Sequence, residues 1–149
     1  MIQRVQTFYL LVAAGIGIFQ LFIPFVKFRM PDDGICQVTG LSTFSAGMWH
    51  VGILLLALIG TSLWAVFQFR RRPRQLKITH FAALCALAAT LAALVAVYAA
   101  PPDVCSGGTV DIGGSGGLLM MPLAIFALLL ASRGIRRDEA LVRSADRIR

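Results

Sequence analysis

Cysteine and histidine are the side chains in this sequence that could carry redox or metal chemistry. There are three cysteines: Cys36 and Cys105 each fall in a polar stretch between apolar segments, and Cys85 falls inside an apolar segment. Thiol-exchanging enzymes typically use a C-x-x-C motif, which this sequence lacks. We therefore expect a structural disulfide between Cys36 and Cys105, with two unpaired thiols as the alternative. Cys85 is expected to be a small packing residue.

The remaining candidates for chemistry do not combine into a site. His50 and His80 lie near opposite ends of their apolar segments, roughly 25–30 Å apart in depth at 1.5 Å per helical residue, which does not fit a shared haem or metal ion. The glycines between 107 and 117 lack the lysine and Ser/Thr of a phosphate-binding loop. No nucleophile–base pair is apparent. The sequence thus predicts a protein that is not an enzyme, with no catalytic, cofactor-binding or metal site.

Four long apolar segments make up most of the sequence, and they set the positions of the cysteines and histidines. The chain is 58% hydrophobic and 14% charged, against about 45–50% and about 25% in soluble domains. Because lipid offers the backbone no hydrogen-bond partners, segments of about 20 apolar residues cross a bilayer as helices. We expect one all-α membrane domain over 1–149, an up-down four-helix bundle. Its helices are predicted at about 8–26, 46–69, 78–100 and 116–135, followed by a cytoplasmic tail at 136–149.

Basic residues flank the two ends of this bundle unequally. Of fourteen Lys and Arg residues, all but Lys27 and Arg29 lie at the end that carries both termini. The positive-inside rule then places both termini and the central loop in the cytoplasm, as in a multi-pass protein of a bacterial inner (cytoplasmic) membrane. The loops with Cys36 and Cys105 would face an oxidising compartment, where disulfides persist. Because the net charge of +7 comes from these flanking residues, we expect no nucleic-acid partner.

Polar side chains are scarce within the four segments. Apart from Arg133 at the very end of the fourth segment, none contains Asp, Glu, Lys or Arg, the residues that usually mark an ion or proton pathway. Gln20, Thr61 and Thr90 remain as intramembrane polar contacts, either between helices or with a substrate. The third segment repeats alanine at spacings of four, as at Ala82 and Ala86. This spacing is typical of close helix packing or of an oligomer face.

The tail has the pattern of a short amphipathic helix. Leu141, Ala145 and Ile148 recur at helical spacing, and Glu139 and Arg143 are spaced for an ion pair. Such a helix can lie on the inner leaflet or dock a partner. The residues expected to contact a partner or anionic lipid headgroups are Gln3, Arg4, Gln6, Arg70, Arg71, Arg72, Arg74, Lys77, Arg133, Arg136, Arg137, Asp138, Glu139, Arg143, Asp146 and Arg147.

Two stretches of the sequence resemble an uncharacterised bacterial family of four-helix membrane proteins, domain of unknown function 4293. They are residues 1–11, MIQRVQTFYLL, and residues 130–149, LASRGIRRDEALVRSADRIR, with QLKI at 75–78 as a weaker third match. The resemblance implies an integral inner-membrane protein with four helices, and it implies no activity. The loop cysteines are not part of the family pattern.

The sequence favours a non-catalytic scaffold or accessory subunit that contacts a protein partner or lipid through its basic cytoplasmic face. The alternative is a small oligomeric transporter or channel for an apolar or lipid-like substrate. A transporter needs a cavity that reaches mid-bilayer and is lined by groups such as Gln20, Thr61 or Thr90. A scaffold should instead have a closed, alanine-packed centre.

Overall fold

The chain folds into four long helices and a small sheet, as seen in a computed structural model. The structure describes residues 2–69, 71–98, 105, 107–111 and 116–146, with side chains described for all of these except 2–4, 96, 143, 145 and 146. The elements are α1 (Ile2–Phe22), β1 (Val26–Arg29), β2 (Ile35–Val38), α2 (Trp49–Phe67), α3 (Arg72–Tyr98), β3 (Thr109–Asp111) and α4 (Gly116–Asp146). In this described part of the chain, four helices are long and apolar enough to span a membrane. The all-α membrane bundle predicted from the sequence is confirmed, with the sheet as an addition.

Proline sets two helix boundaries that differ from the predicted ones. The first helix was expected to reach about Val26, but α1 ends at Phe22, because Pro24 disfavours helical geometry at the residue before it. Val26 instead begins β1. The third helix was expected from about Ile78, but α3 begins at Arg72. Its second residue is Pro73, and a proline this early removes an N–H that would have no helical partner.

The fourth helix is longer than predicted. It begins at Gly116, as the sequence suggested, but it continues without a break to Asp146. The described part of the tail, residues 136–146, is therefore helical, and it extends α4 rather than forming a separate short helix. At 1.5 Å per residue, the 31 residues of α4 span about 46 Å, compared with about 30 Å for the hydrocarbon core of a bilayer.

The helices pack in a ring. Each helix contacts the next one in the chain, and α4 closes the ring by packing against α1. Alanines at spacings of three and four form the inner face of α3, and they are fully or almost fully buried: Ala82, Ala86, Ala89 and Ala93. Such small side chains let neighbouring helix backbones approach closely. The centre of the bundle is thus packed with alanine, as expected for the third segment.

A three-stranded antiparallel sheet, which the sequence pattern did not predict, covers one end of the bundle. The strand order is β2-β1-β3, and a tight turn in which Asp33 has a φ of 57° joins β1 to β2. Val26 and Phe28 on β1 are buried in the core cluster at this end. The alternation of these residues with Lys27 and Arg29 is the period of a half-buried strand. Over four residues it is too short to stand out in a sequence.

The disulfide between Cys36 and Cys105 is present in the structure. Cys36 lies on β2, opposite Phe28 of the central strand. Cys105 precedes β3, which pairs with the other edge of β1. The bond therefore ties the α1–α2 connection to the α3–α4 connection across the sheet. Cys85 is a buried free cysteine on α3.

We predict that replacing both Cys36 and Cys105 with serine will destabilise the protein by about 4 kcal/mol, because the bridge closes a long loop in the unfolded chain. The sequence separation that it closes is 69 residues. Unfolding of the purified protein in detergent, followed by circular dichroism, measures this loss. In the unreduced, fully unfolded wild type, maleimide labelling should find one thiol, that of Cys85. Three reactive thiols would show that the bridge does not form.

Candidate functional site

Three helices meet in a buried polar cluster at the end of the bundle where α1 begins, α2 turns into α3 and α4 ends. We call this the basic end. Gln6 on α1 donates a hydrogen bond from Nε2 to Oδ2 of Asp138 on α4, at 2.7 Å. Arg72 on α3 donates from Nη1 to the main-chain oxygen of Asp138, at 3.0 Å. We call Gln6, Arg72 and Asp138 the polar cluster.

Burial makes the polar cluster important for stability. Gln6 is 5% exposed and Asp138 is 6% exposed. A carboxylate or amide that loses water on burial must find another hydrogen-bond partner, and bonds to a charged group are the stronger ones. The two partners are 132 residues apart in the sequence. Their bond therefore ties the first helix to the last.

Gly134 makes room for this bond. It lies one helical turn before Asp138 on α4, and a Cβ at this position would come within 2.8 Å of Cγ of Gln6. Without a side chain there, Gln6 can lie against α4 and reach Asp138. Gly134 was not among the predicted site residues. The sequence feature that could have indicated its role is a glycine inside an otherwise strong helical pattern, because such a glycine often marks a close packing contact.

A second buried amide joins α3 to the end of α2. Gln75 is 3% exposed, and its Nε2 donates to the main-chain oxygen of Ala65 at 3.1 Å. Ala65 lies in the last turn of α2, and its main-chain oxygen also accepts a hydrogen bond from the N–H of Gln68, at 3.2 Å. The Thr79 hydroxyl in turn donates to the main-chain oxygen of Gln75. Gln75 was also missed as a site residue, although it begins the weaker of the resembling stretches.

Each of the three stretches on which the family resemblance rests thus contributes a buried polar side chain at the basic end: Gln6, Gln75 and Asp138. Gln6 and Asp138 were expected to contact a partner or lipid at the surface. The structure corrects this interpretation, because both side chains are buried and bonded to each other. Arg72 is half-buried and also bonds within the chain.

Among the other predicted contact residues, those whose side chains the structure describes are mostly at the surface. The exposed ones are Arg71, Arg74, Lys77, Arg133, Arg136 and Arg137, and Glu139 is half-buried. Nη2 of Arg136 lies 3.2 Å from Nε2 of His80, and because a guanidinium can only donate, that histidine nitrogen accepts. The side chains of Gln3, Arg4, Arg143 and Asp146, and the whole of Arg70 and Arg147, lie outside the described part of the structure.

The last turns of α4 expose apolar side chains. Ile135 and Asp138 belong to the buried stripe of this helix, and Val142 continues that stripe four residues further. Val142 is nevertheless 45% exposed, and neighbouring Leu141 is 52% exposed. We call Leu141 and Val142, with the exposed Arg133, Arg136 and Arg137, the C-terminal surface. It combines apolar and basic groups on a helix that is longer than a bilayer's hydrocarbon core.

The predicted intramembrane polar contacts differ from one another. Thr61 and Thr90 donate to main-chain oxygens of their own helices, at Ala57 and Ala86. Gln20 is 1% exposed, and among the described residues neither its Nε2 nor its Oε1 has a hydrogen-bond partner. It lies where α1 meets the start of α4, since a Cβ on Gly117 would come within 3.0 Å of its Nε2. Within the described part of the chain, Gln20 thus has unused hydrogen-bonding capacity, whereas both threonine hydroxyls already have partners.

The four spanning helices define a small multi-pass membrane protein. Over residues 2–148 the chain matches the model of the family described as Domain of unknown function (DUF4293), and it belongs to that family. The resemblance drawn from its two terminal stretches is thereby confirmed. Searches of curated proteins and of solved structures found no match. The family description names no activity, so the function has to be argued from this chain itself.

We predict that Gln6→Ala and Asp138→Ala will each destabilise the protein by about 1–3 kcal/mol, because each leaves a buried polar partner unsatisfied. The double variant should lose less than the sum of the two single variants. Thermal unfolding in detergent measures all three. Arg137→Gln removes an exposed charge from the same helix and should stay within about 0.5 kcal/mol of wild type. Strictly additive losses would contradict a direct bond between Gln6 and Asp138.

We predict that two glycine-to-alanine substitutions within helices will differ in their effect on stability. Gly134→Ala should lower the unfolding temperature, because the new methyl group displaces Gln6 and weakens its bond to Asp138. Gly15→Ala is the matched control on α1, since no atom lies within 4 Å of a Cβ there. It should be neutral or raise stability by up to about 1 kcal/mol, from better helix propensity. Equal effects at the two positions would refute the role given to Gly134.

Proposed function

We propose that this protein is a non-catalytic membrane scaffold or accessory subunit that docks a partner protein through the C-terminal surface. The observation that carries the proposal is the exposure of Leu141 and Val142. Val142 continues the buried stripe of α4 past the polar cluster. Where the apolar stripe of a helix continues past the contacts with its own bundle, it can be covered by an apolar surface of another protein, as in helix-in-groove recognition.

The polar cluster supports this proposal because it holds the end of α4 in place. Gln6 and Arg72 both bond to Asp138, one turn before Val142. A partner would therefore meet a helix whose position is already set by α1 and α3. Preorganisation of this kind reduces the entropy that binding must overcome.

Charge supports the proposal as well, and it suggests the chemistry of the partner. Arg133, Arg136 and Arg137 are exposed on the same part of α4 as Leu141. A surface with this charge is complementary to acidic side chains around an apolar centre. Such complementarity acts mainly on partner choice and on the association rate.

We further propose that the basic end faces the cytoplasm of a bacterial inner membrane. The excess of Lys and Arg at that end supports this orientation through the positive-inside rule. The disulfide at the opposite end also supports it, because disulfides persist on the oxidising side of such a membrane. In this orientation the partner would be a cytoplasmic protein or the cytoplasmic part of a membrane protein.

A transporter or channel for an apolar or lipid-like substrate is the second candidate. The observation in its favour is Gln20, whose buried amide group has no partner among the described residues. Thr61 and Thr90 do not strengthen this reading, since each hydroxyl already bonds to its own helix. The buried alanines of α3 favour the scaffold, because they close the centre of the bundle.

We predict that a photo-crosslinking amino acid at position 141 will capture a protein of defined mass in native membranes, because Leu141 lies at the proposed contact. The same amino acid at position 126 is the matched control, since Phe126 is also exposed but lies in the first half of α4, away from the proposed contact. In the position-141 protein, changing Arg133 and Arg137 to glutamine should reduce the captured band several-fold. Gels and mass spectrometry of the crosslinked product provide the readout.

Loss of the band in the arginine variant, with the fold retained, supports docking through the C-terminal surface. Crosslinking to lipid alone at position 141 would overturn the proposal. A cysteine at position 141 tests the orientation in sealed cells. It should resist a membrane-impermeant maleimide until the membrane is opened, and labelling from outside would reverse the assigned topology.

A further inference from the structure

An apolar groove opens on the outer surface of the bundle between α2 and α3. Its volume is about 300 Å³, and its lining consists of Thr61, Trp64, Lys77, Ile78 and Phe81. Its lining does not include Gln20, Thr90 or the buried alanines of α3 that pack the bundle centre. The groove is therefore a feature of the membrane-facing surface, distinct from the C-terminal surface on α4.

The groove lies in one leaflet, close to the basic end. Lys77 is the sixth residue of α3 and Phe81 the tenth, so they lie about 8 Å and about 14 Å along the helix from its start. On α2, Trp64 and Thr61 lie within the last seven residues. Half of a hydrocarbon core is about 15 Å. The groove thus runs from the headgroup level towards the middle of the bilayer.

The lining separates into an apolar part and a single charge. Trp64 is 61% exposed and Phe81 is 55% exposed, and both offer ring surface. The Thr61 hydroxyl already donates to the main-chain oxygen of Ala57, so its proton needs no acceptor on the molecule that fills the groove. Lys77 is exposed, and a lysine can lay its apolar stem along a groove while its ammonium group reaches the headgroup level. One turn earlier on α3, exposed Arg74 adds a second positive charge.

We propose that this groove binds one anionic phospholipid. An acyl chain lies against Ile78, Phe81 and Trp64, and the phosphate group meets the ammonium group of Lys77. The charge complementarity and the depth of the groove select this occupant. A zwitterionic phospholipid carries a compensating positive charge, so its headgroup is attracted less by Lys77 and Arg74. The proposal is independent of docking at the C-terminal surface, because the two sites use different helices.

Tryptophan fluorescence tests this proposal, because the chain has two tryptophans and they lie at opposite ends of α2. Trp49→Phe leaves Trp64 as the reporter. The full chain with this change is reconstituted into phosphatidylcholine vesicles that contain a small, fixed fraction of brominated phosphatidylglycerol or brominated phosphatidylcholine. Bromine quenches tryptophan on contact. We expect stronger quenching by the brominated phosphatidylglycerol.

Substitutions at the rim decide whether the preference belongs to the groove. In the Trp49→Phe background, Lys77→Gln should lower the preference for the anionic lipid about fivefold, which corresponds to the contribution of one basic residue near an anionic surface. Lys77→Arg should retain it. Arg71→Gln is the matched control, since it removes the same charge from an exposed residue at the same end but outside the groove lining, and it too should retain the preference.

Each other outcome overturns the proposal. Equal quenching by the two brominated lipids would mean that the groove does not select an anionic lipid. A preference that survives Lys77→Gln would place the anionic lipid elsewhere on the basic end. Quenching by neither lipid would mean that Trp64 is covered by protein, and the groove would then be a contact between copies of this chain.

Discussion

The inability of hydrocarbon to form hydrogen bonds is the constraint on which this structure depends. Four segments satisfy their backbones by forming helices, and the polar side chains within them must find partners inside the protein. Thr61 and Thr90 find theirs one turn back on their own helices. Gln6 and Asp138 find each other. Gln20 is the exception among the polar residues that the sequence singled out, and its burial without a partner in the described structure sets it apart from the threonines.

The two ends of the bundle are closed by different means. At one end, the sheet β2-β1-β3 and the disulfide between Cys36 and Cys105 join the two connections. At the basic end, hydrogen bonds from Gln6 and Arg72 converge on α4. Between the ends, buried alanines on α3 let neighbouring helices approach closely. The interior is therefore filled largely by close helix packing, and the features that remain available for binding lie on the surface.

Both proposed binding features lie at the basic end, on different helices. The groove between α2 and α3 has an apolar lining with one lysine, which suits a lipid. The C-terminal surface combines Leu141 and Val142 with three exposed arginines, which suits an acidic protein surface. The scaffold that we propose would need a helix end held in place rather than a reactive group. The polar cluster joins the last turns of α4 to α1 and α3 through two hydrogen bonds.

The resemblance of the two terminal stretches indicated the family, and the presence of one cysteine in each of two connections indicated the pair. Hydropathy and charge by themselves determined the class of this protein and its four spanning segments. These features follow from local composition, and lipid enforces them segment by segment. The sheet escaped prediction because β1 offers only Val26 and Phe28 as alternating apolar residues. The tertiary structure alone decided that Gln6 and Asp138 face inward, because residues 132 positions apart share no local pattern. The tertiary structure also decided that Val142 is exposed. How far α4 extends beyond the ends of the other helices depends on how all four helices are aligned.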